Sequence, residues 1–191
     1  MKELFKLLIC LLTLNGFAAA TELIINGDFE QPLDVGWTDS VVGASGSYFF
    51  EWSDTLGQPS PGCAARAYKY LASYAALSQT VDVPNVNLNF SLYGRLRIGG
   101  GSSTCWPVAA IILRYQNSSG VELGNTKMYI HTEYSTWANS DTAHLIEINT
   151  PESWETYGLD VAQEIASYLP GVNPSEVSKV TIELYAYDNG T

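Results

Sequence analysis

Basic residues are scarce in this chain. Nine lysines and arginines stand against 20 aspartates and glutamates, a formal net charge of −11. Nucleic acids and anionic membrane surfaces call for a basic face, so neither is expected as a partner. Histidine and cysteine are also few, at 2 and 3 residues. His131, His144, Cys63 and Cys105 fall in no zinc-ligand spacing. Past residue 20, no apolar run reaches the roughly 18–20 residues of a membrane span. The sequence has no Gly-x-Ser-x-Gly elbow, His-Glu-x-x-His helix or phosphate-binding glycine loop. Gly99-Gly100-Gly101 is followed by no Lys-Ser or Lys-Thr pair and reads as a flexible loop. Two facing carboxylates could serve a glycosidase, but no strand motif selects a pair, and the chain is expected not to be an enzyme.

The chain does open on a translocation signal. Lys2 and Lys6 give a positive start, Leu7 to Leu14 is apolar, and Ala18-Ala19-Ala20 fits small-residue cleavage. Residues 1–20 are therefore expected to be removed and the protein to be secreted, extracellular or on the cell surface. Losing Lys2, Lys6 and Glu3 leaves 7 basic and 19 acidic residues, a net of −12. Residues 21–191 suit one domain with a single core. Cys10 leaves with the signal. Cys63 and Cys105 then suggest one bridge in an oxidising compartment, closing about 42 residues and contributing about 4 kcal/mol. The alternative is two separate buried thiols.

What remains reads as mostly β. Apolar alternation bounded by Gly, Pro, Asn and Ser clusters predicts strands at 22–25, 47–52, 64–68, 75–81, 87–98, 108–116, 122–130, 143–148 and 179–187. Asn117-Ser118-Ser119-Gly120 should turn 108–116 and 122–130 into a hairpin. One helix is expected at 160–169: Val161, Ile165, Tyr168 and Leu169 have helical spacing, Asp160 can cap, and Pro170-Gly171 stops it. A short turn is read at 174–177. Many strands with one late helix point to a sandwich.

Several motifs in order carry a resemblance. They are Leu23-Ile24-Ile25-Asn26-Gly27-Asp28-Phe29-Glu30, Gly36-Trp37, Pro61-Gly62-Cys63-Ala64-Ala65-Arg66, Ala76 to Val83, Leu88 to Arg97 and Ser153-Trp154-Glu155-Thr156-Tyr157. Together they resemble secreted carbohydrate-binding modules of the galactose-binding-like jelly-roll type (family 4/9/22-like). The resemblance implies an all-β jelly-roll β-sandwich, a polysaccharide or glycan partner, and a place in a larger multidomain protein. It also implies a structural Ca²⁺ held by the carbonyl of Asp28, the carboxylate of Glu30 and the carbonyl of Ala64, oxygen donors that suit this ion. Pro61 stands where the family has an acidic ligand, and Glu30 could instead be a surface charge or a partner of the first turn. Such modules end on a strand with a Tyr-x-Asp-Asn/Asp-Val pattern. Here Tyr187-Asp188-Asn189-Gly190 reads as a turn leading onward, so the last strand reads as absent, unless 179–187 is itself the end.

Strand alternation supplies the site candidates. Leu88, Phe90 and Leu92 share one face, and Asn89, Ser91, Tyr93, Arg95 and Arg97 the other. A sugar offers a C–H face to an aromatic ring and hydroxyls to planar donors. The resemblance places a stacking aromatic at Tyr93, with Arg95 and Arg97 as donors beside it. Glu183, Tyr185 and Tyr187 share a face and would line the same groove if the two strands share a sheet. Trp106 and Trp137, on loops, would close its ends; the alternative is that each caps the sandwich. Trp37 and Trp154 are expected in the core, and Trp52 is ambiguous. A structural or adhesive surface domain with no sugar site is the competing expectation.

Overall fold

A computed structural model describes residues 22–43, 46–60, 62–99, 104–132 and 137–190. The expected signal, residues 1–20, lies outside them. The described strands are β1 (Thr38–Val41), β2 (Ser47–Ser53), β3 (Ala64–Tyr70), β4 (Ser73–Asp82), β5 (Asn89–Gly94), β6 (Val108–Gln116), β7 (Glu122–His131), β8 (Ala143–Glu147), β9 (Glu155–Asp160) and β10 (Lys179–Asp188), with one helix, α1 (Val161–Tyr168), between β9 and β10.

Six strands form one sheet in the order β1-β4-β10-β6-β7-β8, and two ribbons, β2–β3 and β5–β9, make the facing layer. Among the described strands only β7 and β8 pair in parallel. The chain crosses repeatedly between layers, which is the all-β jelly-roll sandwich expected. The core lies between them: Leu77, Ile111, Leu113, Met128, Ile130 and Ile182 of the large sheet meet Phe50, Ala67, Phe90, Leu92 and Tyr157 of the ribbons. Each fully buried Leu or Ile contributes roughly 1.5–3 kcal/mol. β6 explains its own central place. Every residue from Val108 to Leu113 is buried, so both faces of the strand are covered.

α1 closes one end. Asp160 accepts from Gln163 N at 2.9 Å as the N-cap. Val161, Ile165 and Leu169 face the core. Glu164 is buried beside them, and its Oε1 accepts from Thr126 Oγ1 at 2.7 Å and His144 Nδ1 at 2.6 Å.

Three expectations are corrected. Residues 22–25 form no strand. Gln79 holds Ile25 as a strand partner would, with Oε1 accepting from Ile25 N at 2.7 Å and Nε2 donating to Ile25 O at 2.8 Å. Asn26 has a φ of 52° and donates to the carbonyls of Gln31 and Pro32, so the chain wraps into a loop. Tyr187-Asp188 is not a turn leading onward but the end of β10, which is paired on both sides, to β4 and to β6. Cys63 and Cys105 are free thiols. Cys63 abuts the start of β3, whereas Cys105 Sγ donates to Asp188 Oδ1 at 3.0 Å, and the other oxygen of Asp188 holds Leu71 N, just past the end of β3. Seven strand residues span about 23 Å, far beyond the roughly 7 Å that a bridge tolerates.

Candidate functional site

The large sheet turns one face to the core and leaves the other outward. Cross-strand register fixes the outward rows. Tyr74, Tyr187, Val108 and His131 stand in one; Ala76, Tyr185, Ala110 and Tyr129 in the next; Ser78, Glu183, Ile112 and Lys127 in the third. Small and aliphatic residues at the centre make a low floor. Aromatic rings stand over it: Tyr74 to Tyr185 at 5.3 Å between centroids, Tyr185 to Trp137 at 6.0 Å, Trp137 to Tyr129 at 5.5 Å. Tyr129 is buried and supports the others, while Tyr74, Tyr185, Tyr187 and Trp137 are half-buried and keep ring surface open. Val108, Ala110 and Ile112 are buried beneath them.

Charge along this face is balanced. Arg114 donates to Glu122 at 2.9 Å and to Glu183 at 2.8 Å. Burial opposes its charge, but the two carboxylates outweigh burial and hold its pKa above the ordinary value. Lys127 Nζ lies 4.3 Å from the Trp137 ring centroid. Burial, reinforced by Arg114, lowers its pKa. Burial likewise raises the Tyr185 phenol, which stays a neutral donor. At one end, His131 Nε2 is 3.7 Å from Glu147 Oε1 beside an open depression. The Tyr129 and His131 rings stack at 18° with centroids 5.0 Å apart.

The single groove expected from the sequence is corrected. β5 pairs with β9 and β10 pairs with β4 and β6, so Tyr93 and Tyr185 lie in different layers. The expected residues fall into three places. Tyr185 and Trp137 meet over the large sheet. Tyr93, Arg95 and Arg97 stand on the outer face of the β5–β9 ribbon, where Arg97 is 3.5 Å from Glu152. Trp106 sits at the sheet end, its main-chain N–H donating to Asn189 Oδ1. Trp37 is buried as expected, its Nε1 donating to Asn26 O at 3.2 Å. Trp154 is half-exposed and stacks on Tyr93 instead of joining the core. Trp52 is exposed and donates to Phe29 O at 2.6 Å. Tyr74, Lys127, Tyr129 and Trp154 were missed as site residues. Alternation about buried Tyr157 puts Trp154 outward, a signal already present in the sequence.

Asp28, Glu30 and Ala64 are the residues expected to hold a cation. Burial pushes the Cys63 thiol up, and Glu30, Asp54 and Asp28 push it further, so three carboxylates act at the residue before Ala64. Asp28 Oδ1 also accepts from Glu30 N at 3.2 Å. Among the described residues no three acidic, Cys or His side chains could hold a metal alone. A cation here would need main-chain carbonyls, and a hard oxygen-binding ion fits such a donor set.

No family model matches the sequence, and no curated protein matches it. Among solved structures, the chain is similar to the enzymatically active domain of tailspike protein 4 of bacteriophage CBA120, with a TM-score of 0.43 and 12% identity over 86% of this chain. It spans 19% of that protein. It is also similar to two structures of family 11 carbohydrate-binding modules of Clostridium thermocellum. One, in complex with a β-1,3-1,4-mixed-linked tetrasaccharide, has a TM-score of 0.40 and 11% identity, covering 85% of this chain and 89% of that one. The other, from a cellulosomal cellulase, has a TM-score of 0.36 and 11% identity, covering 90% and 94%.

Proposed function

We propose that this chain is a secreted, non-catalytic carbohydrate-binding module related to the family 4/9/22-like kind, whose polysaccharide lies across the outward face of the large sheet. The observation that carries the reading is the file of half-buried rings, Tyr74, Tyr185 and Trp137, spaced 5.3 and 6.0 Å apart above Ala76 and Ala110. That spacing matches the width of a pyranose ring. Rigid rings stack on sugar C–H faces at little entropic cost, and Glu183, Arg114 and Lys127 offer hydroxyl partners alongside.

The test is affinity electrophoresis of residues 21–191 on a panel of neutral polysaccharides. Tyr185→Ala should lose retardation, with affinity falling on the order of thirtyfold, the cost of an interface anchor. Retardation equal to wild type in a folded Tyr185→Ala protein, or none of the folded wild type on any neutral polymer, would sink the reading. The dispersal of the predicted residues over three places favours a second reading, a structural or adhesive surface domain, which the latter outcome would support.

The same reading includes a structural Ca²⁺. Glu30 would supply a carboxylate, and Asp28 and Ala64 main-chain carbonyls; the ion would tie the opening loop to β3. An excess of Ca²⁺ at a hundred times its Kd should raise stability by about 2.7 kcal/mol. Thermal melts with Ca²⁺ and with chelator measure this. Coincident melts, or a shift that persists in Glu30→Gln, would exclude the site.

A further inference from the structure

The β5–β9 ribbon carries a second aromatic platform on the opposite side of the sandwich. Its inner residues, Phe90, Leu92 and Tyr157, pack into the core, so its other face is outward. Tyr93 stands opposite Thr156 there and is 52% exposed. The pairing continues past the strand ends, since Glu152 N donates to Leu96 O at 2.9 Å. That brings Trp154 beside Tyr93, with ring centroids 5.5 Å apart and planes at 30°. The other neighbouring rung holds Ser91 and Gly158, so the shelf beside the rings carries nothing taller than a hydroxymethyl group.

Arg95 gives this shelf its chemistry. Arg66, Arg97, Arg114 and Lys179 each lie within 4.0 Å of a carboxylate. Lys69 is buried and donates to Gly43 O at 2.6 Å. Among the described residues, Arg95 and Lys127 have no carboxylate that close, and each lies over a tryptophan. The Arg95 guanidinium carbon is 5.7 Å from the Trp154 ring centroid. In a chain of net −11, an exposed guanidinium without an acid is open to an anion from outside.

We propose that the β5–β9 ribbon is a second, independent site for an anionic sugar residue, with the sugar ring on Tyr93 and Trp154 and its carboxylate or sulfate on Arg95. The site does not depend on the large-sheet reading. If both hold, one molecule can engage two polysaccharide strands from opposite faces, or one strand with higher avidity through its neighbours.

Residues 21–191 would be run against sodium polygalacturonate, which supplies carboxylates, and λ-carrageenan, which supplies sulfates, with dextran as the neutral control. Wild type should be retarded by one of the anionic polymers. Tyr93→Ala and Arg95→Gln should each weaken that binding at least tenfold, and Arg95→Lys less. Ser91→Glu, which adds a negative charge to the shelf and leaves the rings in place, should weaken it comparably. Tyr185→Ala should change it less than twofold. The polymer that is retained names the anion. No retardation by either anionic polymer, or equal retardation of Tyr93→Ala and wild type, overturns the proposal, as does loss in Tyr185→Ala alone. Loss of neutral-polymer binding in wild type with anionic binding intact would count against the large-sheet reading and for this one.

Discussion

Glu164→Ala is expected to cost about 3 kcal/mol, the penalty of leaving two inward-facing donors without their acceptor. Glu164 is 5% exposed and is the acceptor that fastens α1 to the large sheet. Tyr115 and Thr126, both fully buried, complete the chain: their hydroxyls are 3.0 Å apart, and Thr126 donates onward to Glu164. His144 reaches the same oxygen while its ring lies flat on Tyr168 at 4.0 Å. Removing the carboxylate leaves Thr126 and His144 without their acceptor and opens a void under the helix. Since 1 kcal/mol moves the Tm of a domain this size by about 2–4 °C, the melt should fall by roughly 10 °C. Glu164→Gln, which keeps volume and one acceptor, should lose less. A melt of Glu164→Ala within two degrees of wild type would show that the network carries little.

The second large effect is at Asp188, and it depends on pH. The carboxyl is 4% exposed. Burial alone would raise its pKa, but donation from Leu71 N, Cys105 Sγ and Gly190 N, with Lys69 nearby, outweighs burial, and the net direction is down from 3.8. The unfolded chain therefore binds the proton first. The stabilisation is fully present above the unfolded value near 3.8 and is lost as pH falls through the lower folded value. Asp188→Ala strands Leu71 N at 3.0 Å and Gly190 N at 2.8 Å from where their acceptors stood, at about 3 kcal/mol near neutrality. Urea midpoints from pH 7 to pH 2 measure both. Wild type should lose its margin over Asp188→Ala only below about pH 4; a constant margin down to pH 2 would refute the assignment.

Local patterns in the sequence were enough for most of the elements, though β1 and β9 were not among the strands they predicted, and distant pairing decided the site. The hairpin of β6 and β7 was legible because an apolar run meets a four-residue polar turn. The helix was legible from its cap and stop. Tyr93 and Arg95 were rightly placed on an outward face by alternation alone. Which outward face they share was not legible, since β10 pairs with β4 some hundred residues away, and no local pattern records that choice. The opening motif misled for another reason: Leu23-Ile24-Ile25 has strand composition, but a side chain, Gln79, took the partner strand's role. The two cysteines misled because compartment chemistry says nothing of the length of β3 between them.

β10 has one more consequence. It is the last described strand to leave the ribosome, and it is the sole join between β1–β4 on one side and β6–β7–β8 on the other. Until it arrives, β4 and β6 each present a bare row of amides and carbonyls, and a foreign strand can dock there as readily as the native one. The nascent protein is thus two half-sheets awaiting a common keystone, and its yield in any host will depend on how well those edges are shielded during that wait.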